Sequence, residues 1–546
     1  MLAASYQPRK VSKASSPMPF RFSIAVAFLL ACSLFPTALA AENTDQPISA
    51  DFVLQDGTIV DGTGGEPYQG SVAVRDDKII AVGKFTPGEV KRTIDCRGLV
   101  ICPGFIDLHN HSDSTILTPE TRDSRCYLTQ GCTTLVTGNC GGGPIEVGKY
   151  YDELAAQGIG VNVAHLLPQG SLRGEVIGQT RRAPNDTELQ KMQSLADTAM
   201  QEGAWGMSTG LQYVPGSYAD TAELVAIASR IAKQGGFYAS HMRDESDELL
   251  EAVEETIEIG RQANLPVHVS HFKSSKRRNW GKVRAAAHVI EEARKNGVRV
   301  TADQYPYTAS STSIMAMLLS DKEREGGNQA TAERLKNPTE AARLRPYVAE
   351  ALAARDRVMI ASSKQQPDWV GMLIREVAAA EKREPIDIAM EILLDASAQG
   401  VNFSMDEGDV RYVMMLPWVA TASDGSVKID DGSRPHPRSF GTFPRKIGRY
   451  AIQDKVLPLA AAIRSASGLP ADILGMTDRG YVRTDQVADL VVFDPVELQD
   501  NATYQEPFQP SQGVRWVLVN GKLAIDNGEL LETLAGKPLR RDSGGE

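Results

Sequence analysis

Between residues 101 and 423 the chain alternates short apolar runs with longer stretches of helical period. That alternation excludes most architectures. Eight runs are strand-like: 101–108, 133–136, 161–166, 205–208, 237–240, 267–270, 298–302 and 419–423. Helical stretches lie between most of them, among them 187–202, 221–233, 248–263 and 280–296. Eight strand–helix units predict an α/β fold, a (β/α)8 TIM-like barrel over 101–480, with its chemistry at the C-terminal mouths of the strands. The link from the seventh run to the eighth is long and carries charged helical segments at 322–335 and 339–354. It predicts an insertion over about 315–410 that covers one side of the mouth. Residues 41–100 and 481–546 carry hairpin patterns, such as 70–83 and the Asn520-Gly521 turn. Isolated hairpins are barely stable, so the two chain ends are expected to combine into one small β-sandwich domain.

The strand mouths concentrate one kind of chemistry. The first run closes on His109-Asn110-His111, and extended backbone turns residues i and i+2 to the same side. The second mouth presents Cys140, the fifth His241, the sixth His271 and the eighth Asp424. Each has an ordinary reading alone: surface histidines, a small buried filler, satisfied core histidines, an Asp-Gly turn. Assembled at barrel mouths, they are the imidazole, thiolate and carboxylate donors that zinc takes. His268 competes with His271, but it lies farther from the mouth and faces the other way on a strand. His165 and His288 read as structural.

Composition bounds the partners. The 546 residues are 42% apolar and 23% charged, an ordinary globular balance. The formal net charge is -11, which disfavours nucleic acid. Residues 1–40 read as a secretory signal peptide. Arg9, Lys10, Lys13 and Arg21 precede an apolar stretch over 22–35, and Ala38-Leu39-Ala40 offers small residues before a cut ahead of Ala41. The apolar stretch is too short to span a bilayer. An exported protein, periplasmic or secreted, is expected; lipid attachment at Cys32 is the alternative processing. Five cysteines remain after such a cut, Cys96, Cys102, Cys126, Cys132 and Cys140, so at least one has no partner within the chain.

Several motifs carry a specific resemblance: the run Pro103 to His111, Gly138-Asn139-Cys140-Gly141, Ser240-His241-Met242-Arg243, Ser270-His271-Phe272-Lys273, Asp303-Gln304-Tyr305-Pro306-Tyr307-Thr308, Ser423-Asp424-Gly425 and the run His436 to Arg445. With them the chain resembles the N-acyl-D-amino-acid deacylases (D-aminoacylases) of the metal-dependent amidohydrolase superfamily, over about residues 50–525. The resemblance implies a zinc held tightly by Cys140, His241 and His271, and a second, weaker site at His109 and His111. It implies Asp424 as the catalytic base, with Lys273, Tyr305, Ser311 and Arg438 positioning a small N-acyl-amino-acid substrate. Arg438 would hold the α-carboxylate, which a guanidinium fork matches. The preference for D over L rests on the resemblance alone. A cyclic-amide hydrolase of the dihydroorotase or hydantoinase type would present a lysine where Cys140 stands. A D-dipeptide or D-glutamyl amide hydrolase stays open, as does a non-catalytic binding protein on a decayed barrel.

Overall fold

The computed structural model describes residues 46–355 and 357–542. The expected signal segment and Cys32 lie outside them. Eight strands form the centre: β1 (Phe105–Asp107), β2 (Cys132–Thr137), β3 (Asn162–His165, continued by Leu167–Pro168), β4 (Gly206–Gly210), β5 (Phe237–His241), β6 (Val267–Val269), β7 (Val300–Gln304) and β8 (Val419–Thr421). Every neighbouring pair from β1 to β8 is parallel. The ring closes just beyond the strand ends, where Asp424 N–H donates to His109 O (2.8 Å) and His111 N–H donates to Gly425 O (2.7 Å). The expected (β/α)8 barrel is therefore present. Its helices include Asp186–Gln201, Thr221–Lys233, Leu249–Ala263 and Lys282–Lys295, close to their expected bounds. Local chemistry starts two of them. Asn185 and Glu188 form a reciprocal capping box, and Asp220 accepts from Glu223 N–H.

The first run behaves differently from its expectation. Residues 101–108 are not one barrel strand: Val100–Pro103 belongs to another sheet, and the barrel strand begins at Phe105. Gly104 makes the transfer. A Cβ there would stand 2.2 Å from Thr133 Oγ1, so no other residue fits without displacing β2. Val100–Pro103 pairs antiparallel with Leu490–Phe493 and parallel with Ile48–Ile59. The two chain ends thereby share one nine-stranded sheet, over a core that includes Leu54, Val72, Ile79, Ile101, Leu490 and Leu518. The final segment leaves that sheet and runs back along β3, with Gly536 N–H donating to Ile159 O (2.9 Å) and Leu539 N–H to Val163 O (2.7 Å).

The insertion has its own core. Ser310–Ser313, Val358–Ser362 and Gln399–Asn402 form an antiparallel sheet. Ile314, Leu344, Val348, Ile360, Ile388 and Ile392 pack beside it. The insertion starts a few residues before 315 because Ser310–Ser313 is the strand that pairs with its far end. Among the described residues no helix is long and apolar enough to cross a membrane. All five described cysteines are free.

One buried charge stands out. Lys446, 1% exposed, lies in the π-helical segment Arg445–Gln453, and its Nζ has no hydrogen-bond partner. Burial pushes its ammonium down to about 7. A base held below its ordinary value destabilises the fold fully below pH 7, and the cost disappears as pH rises from 7 to the ordinary lysine value. The depression corresponds to roughly 5 kcal/mol. Lys446→Met is accordingly expected to raise the melting temperature by several degrees at pH 6–7, with the gain shrinking towards pH 10. Thermal melts across that range check it, and a pH-independent difference would refute the assignment.

Candidate metal centre

The mouth of the barrel is built by backbone that has left the strands. β1 ends at Asp107, so His109 and His111 project from the segment beyond it rather than from the strand itself. They nonetheless approach each other, with ring centroids 5.2 Å apart. His109 is fully buried, whereas the His111 side chain is 34% exposed and faces the cavity. Cys140, His271 and Asp424 sit at positive φ, +51°, +37° and +52°. Left-handed backbone is costly for residues with a Cβ, and it turns these side chains off the strand axis toward one centre.

Two donor clusters result: His109, His111, Cys140 and Asp424, and Cys140, His241 and His271, with the donor atoms of each all within 4.8 Å of one another. Cys140 belongs to both. Its Sγ lies 3.2 Å from His109 Nε2, 3.5 Å from His241 Nδ1 and 3.7 Å from His271 Nε2. Asp424 Oδ1 lies 3.0 Å from His111 Nε2 and 3.5 Å from His109 Nε2. All six metal and base residues anticipated from the strand mouths thus meet in one place.

The electrostatics are those of a cation site. Burial opposes ionisation of Cys140, but His109 and His241 outweigh it and hold the thiol well below its ordinary value. Burial likewise acts against Asp424 as an anion. Arg438, His109 and His271 more than offset this and keep it below the carboxylate range. Burial depresses His111, yet the Asp424 hydrogen bond and Cys140 lift it to about 9. Thiolate and carboxylate therefore favour positive charge at the centre. Imidazole, thiolate and carboxylate donors converging there fit a divalent cation such as zinc.

The expected substrate residues are already engaged. Lys273 Nζ donates to Glu245 Oε1 (2.6 Å) and lies 2.8 Å from His271 Nδ1. The ammonium is thus committed to the Glu245 carboxylate, which also faces His271. Arg438 Nη1 donates to Asp424 Oδ2 (2.7 Å), and Nη2 donates to Ser311 O (3.3 Å). Arg438 grips Asp424 as well as facing the cavity. Tyr305 lies under both cations, 4.9 Å from the Arg438 guanidinium and 5.7 Å from Lys273 Nζ, and its buried hydroxyl has no partner. His268 stays off the centre, on Asp303 and Thr301. His165 bonds Thr137 and Pro144 O, and His288 lies exposed on its helix.

Three groups with no role assigned from sequence support the donor residues. Glu245 Oε1 is 2.7 Å from His271 Nδ1, a carboxylate–histidine pair of the kind that orients metal ligands. Asp107 accepts from Ser423 N–H (2.8 Å) and Ser423 Oγ (2.5 Å), clamping the residue before Asp424. Asp303 accepts from His271 N–H (2.7 Å). Acidic residues at or just beyond strand ends were the available signal.

The donors floor a cavity of about 870 Å³, walled by the barrel loops and by the insertion through Ser310, Ser311, Thr312 and Met317. The model of the amidohydrolase family matches residues 92–525. This chain belongs to the amidohydrolase family. The amidohydrolase is 33% identical over 524 residues to the D-aminoacylase of Alcaligenes xylosoxydans xylosoxydans, covering 92% of this chain and 99% of that one. It is 35% identical over 507 residues to the N-acyl-D-aspartate deacylase of the same organism, covering 88% and 93%. A crystal structure of the N-acyl-D-glutamate deacylase of Bordetella bronchiseptica, complexed with zinc and a phosphonate inhibitor, superimposes on it. The TM-score is 0.77 at 32% identity, over 90% of this chain and 100% of that one.

Because both clusters share Cys140, Cys140→Ala is expected to strip the protein of tightly bound zinc while leaving the barrel folded. Metal analysis after dialysis and circular dichroism check this, and a variant that keeps its full zinc content would contradict it.

Proposed function

We propose that this amidohydrolase hydrolyses the linear amide of N-acyl-D-amino acids, releasing a carboxylate and a D-amino acid. The observation that carries the reading is the meeting of Asp424 with His109, His111 and Cys140 on the cavity floor, Cys140 being shared with the His241/His271 cluster. Near-full-length similarity to a D-aminoacylase and an N-acyl-D-aspartate deacylase supports the substrate class. Cys140, His241 and His271 would hold the tight zinc, and His109 and His111 the weaker one. Bound zinc supplies Lewis acidity and lowers the pKa of water from about 15.7 to about 7.

This chain's own groups do the rest. Asp424 Oδ2 is taken by Arg438, which leaves Oδ1, on the cluster side, to accept a proton and deliver it to the departing amine. Arg438 keeps Asp424 ionised until it is needed, and its cavity-facing edge meets the substrate's α-carboxylate. The unpartnered Tyr305 hydroxyl is a donor for a substrate oxygen. Carboxylate, scissile carbonyl and side chain fixed at three points give the chiral discrimination. Export is proposed on the basic-then-apolar order of residues 1–40, with a mature N-terminus at Ala41.

A hydrolysis panel of N-acyl-D-, N-acyl-L- and cyclic amides on zinc-loaded protein tests the reading; no turnover of any N-acyl-D-amino acid would sink it. Asp424→Asn is expected to lower kcat at least about 10²-fold, the lower range for lost acid–base catalysis, with zinc content unchanged. Arg438→Ala should lower kcat on every amide, since it releases Asp424, and should raise KM only where the substrate bears an α-carboxylate. Steady-state kinetics on a matched pair, with and without the carboxylate, separates the two effects.

A further inference from the structure

Asp303 is the penultimate residue of β7 and is buried behind both clusters, with a side chain 1% exposed. Its two oxygens are divided between three partners. Oδ1 accepts from the main-chain N–H of His271 (2.7 Å). Oδ2 lies 2.8 Å from His268 Nε2 and 3.3 Å from His109 Nδ1. A carboxylate only accepts, so the ring nitrogens facing it carry the hydrogens. For His109 this leaves the Nε2 lone pair directed at the cluster, 3.2 Å from Cys140 Sγ and 3.5 Å from Asp424 Oδ1. His268, in turn, is anchored at Nδ1 by Thr301 Oγ1 (2.8 Å) and holds the carboxylate from the far side.

We propose that Asp303 is a positioning residue that selects the metal-donating face of His109 and, through the His271 main chain, locks the two donor clusters into one unit. The inference rests on the reading of those clusters as metal sites. Asparagine is the discriminating substitution. Its oxygen can still accept from His271 N–H. Its NH2 group, placed where Oδ2 was, donates toward His109 and forces the hydrogen of that ring onto Nε2, away from the metal. The Cys140/His241/His271 cluster keeps its support, whereas the His109/His111 cluster loses a donor.

The test is a zinc titration of the chelator-stripped full-length protein, read as a binding isotherm by calorimetry or indicator competition. Two binding events are expected for the wild type. In Asp303→Asn the weaker event should lose affinity about 10- to 100-fold, the usual cost of losing a partner behind a metal ligand, while the tighter one stays within about threefold. Unchanged isotherms overturn the proposal. So does an equal weakening of both events together with a lower melting temperature of the zinc-free protein, which is what a merely structural role produces. If Asp303→Asn does not fold, Asp303→Glu is read instead. Its extra methylene displaces the carboxylate, and the weaker event must again be the one that suffers; wild-type binding overturns the proposal. A wild-type protein that takes up no zinc at all sinks the metal reading itself, an outcome distinct from these.

Discussion

The hydrogen bonds that join the first and last barrel strands carry the site. Asp107 on β1 reaches across to Ser423 beyond β8, and the chains on either side exchange Asp424 N–H to His109 O and His111 N–H to Gly425 O. Three of those residues, His109, His111 and Asp424, also belong to one donor cluster. Closing the barrel and assembling the cation site are therefore one structural event. A buried carboxylate without its donors would be expensive, so Asp107 also penalises any slip in how the two strands meet.

Around that seam, each buried carboxylate has hydrogen-bond donors within reach. Asp424 has Arg438, Glu245 has Lys273 and His271, and Asp303 has two imidazoles and a main-chain amide. This explains why the expected substrate-binding cations turn out to be engaged. Lys273 holds Glu245 beside His271, Arg438 holds Asp424, and the cavity inherits a stiff floor. Tyr305, between the two cations, keeps a hydroxyl without a protein partner, as does His241 at Nε2.

Much of this was legible because barrels place chemistry at a fixed end. Once eight apolar runs are counted, the residue following each is a mouth residue, so His241, His271 and Asp424 follow from position alone, and Cys140 lies four residues past its run. The ranges of the helices came through for a similar reason, since period and caps are local. The split at Gly104 was not legible. An unbroken apolar run looks the same whether it serves one sheet or two, and only the approach of Thr133 decides it. Nor were the partners of Lys273 and Arg438, or the work of Asp303. Those pairings depend on side-chain directions set by the folded loops, with Arg438 meeting Asp424 from 14 positions away, Lys273 meeting Glu245 from 28 and Asp303 meeting His109 from 194, and neither period nor spacing encodes them. His109 and His111 met as expected, but off the strand, so the alternation that suggested them was a correct guide for an incomplete reason.

The left-handed backbone at Cys140, His271 and Asp424 has an evolutionary corollary. At such torsions a residue with a side chain gives up on the order of 1 kcal/mol that glycine would not. Natural drift under selection for stability alone would thus tend to erase the thiol and the imidazole. Glycine or asparagine at these three places in a sister sequence is the mark to look for when sorting working enzymes from retired ones.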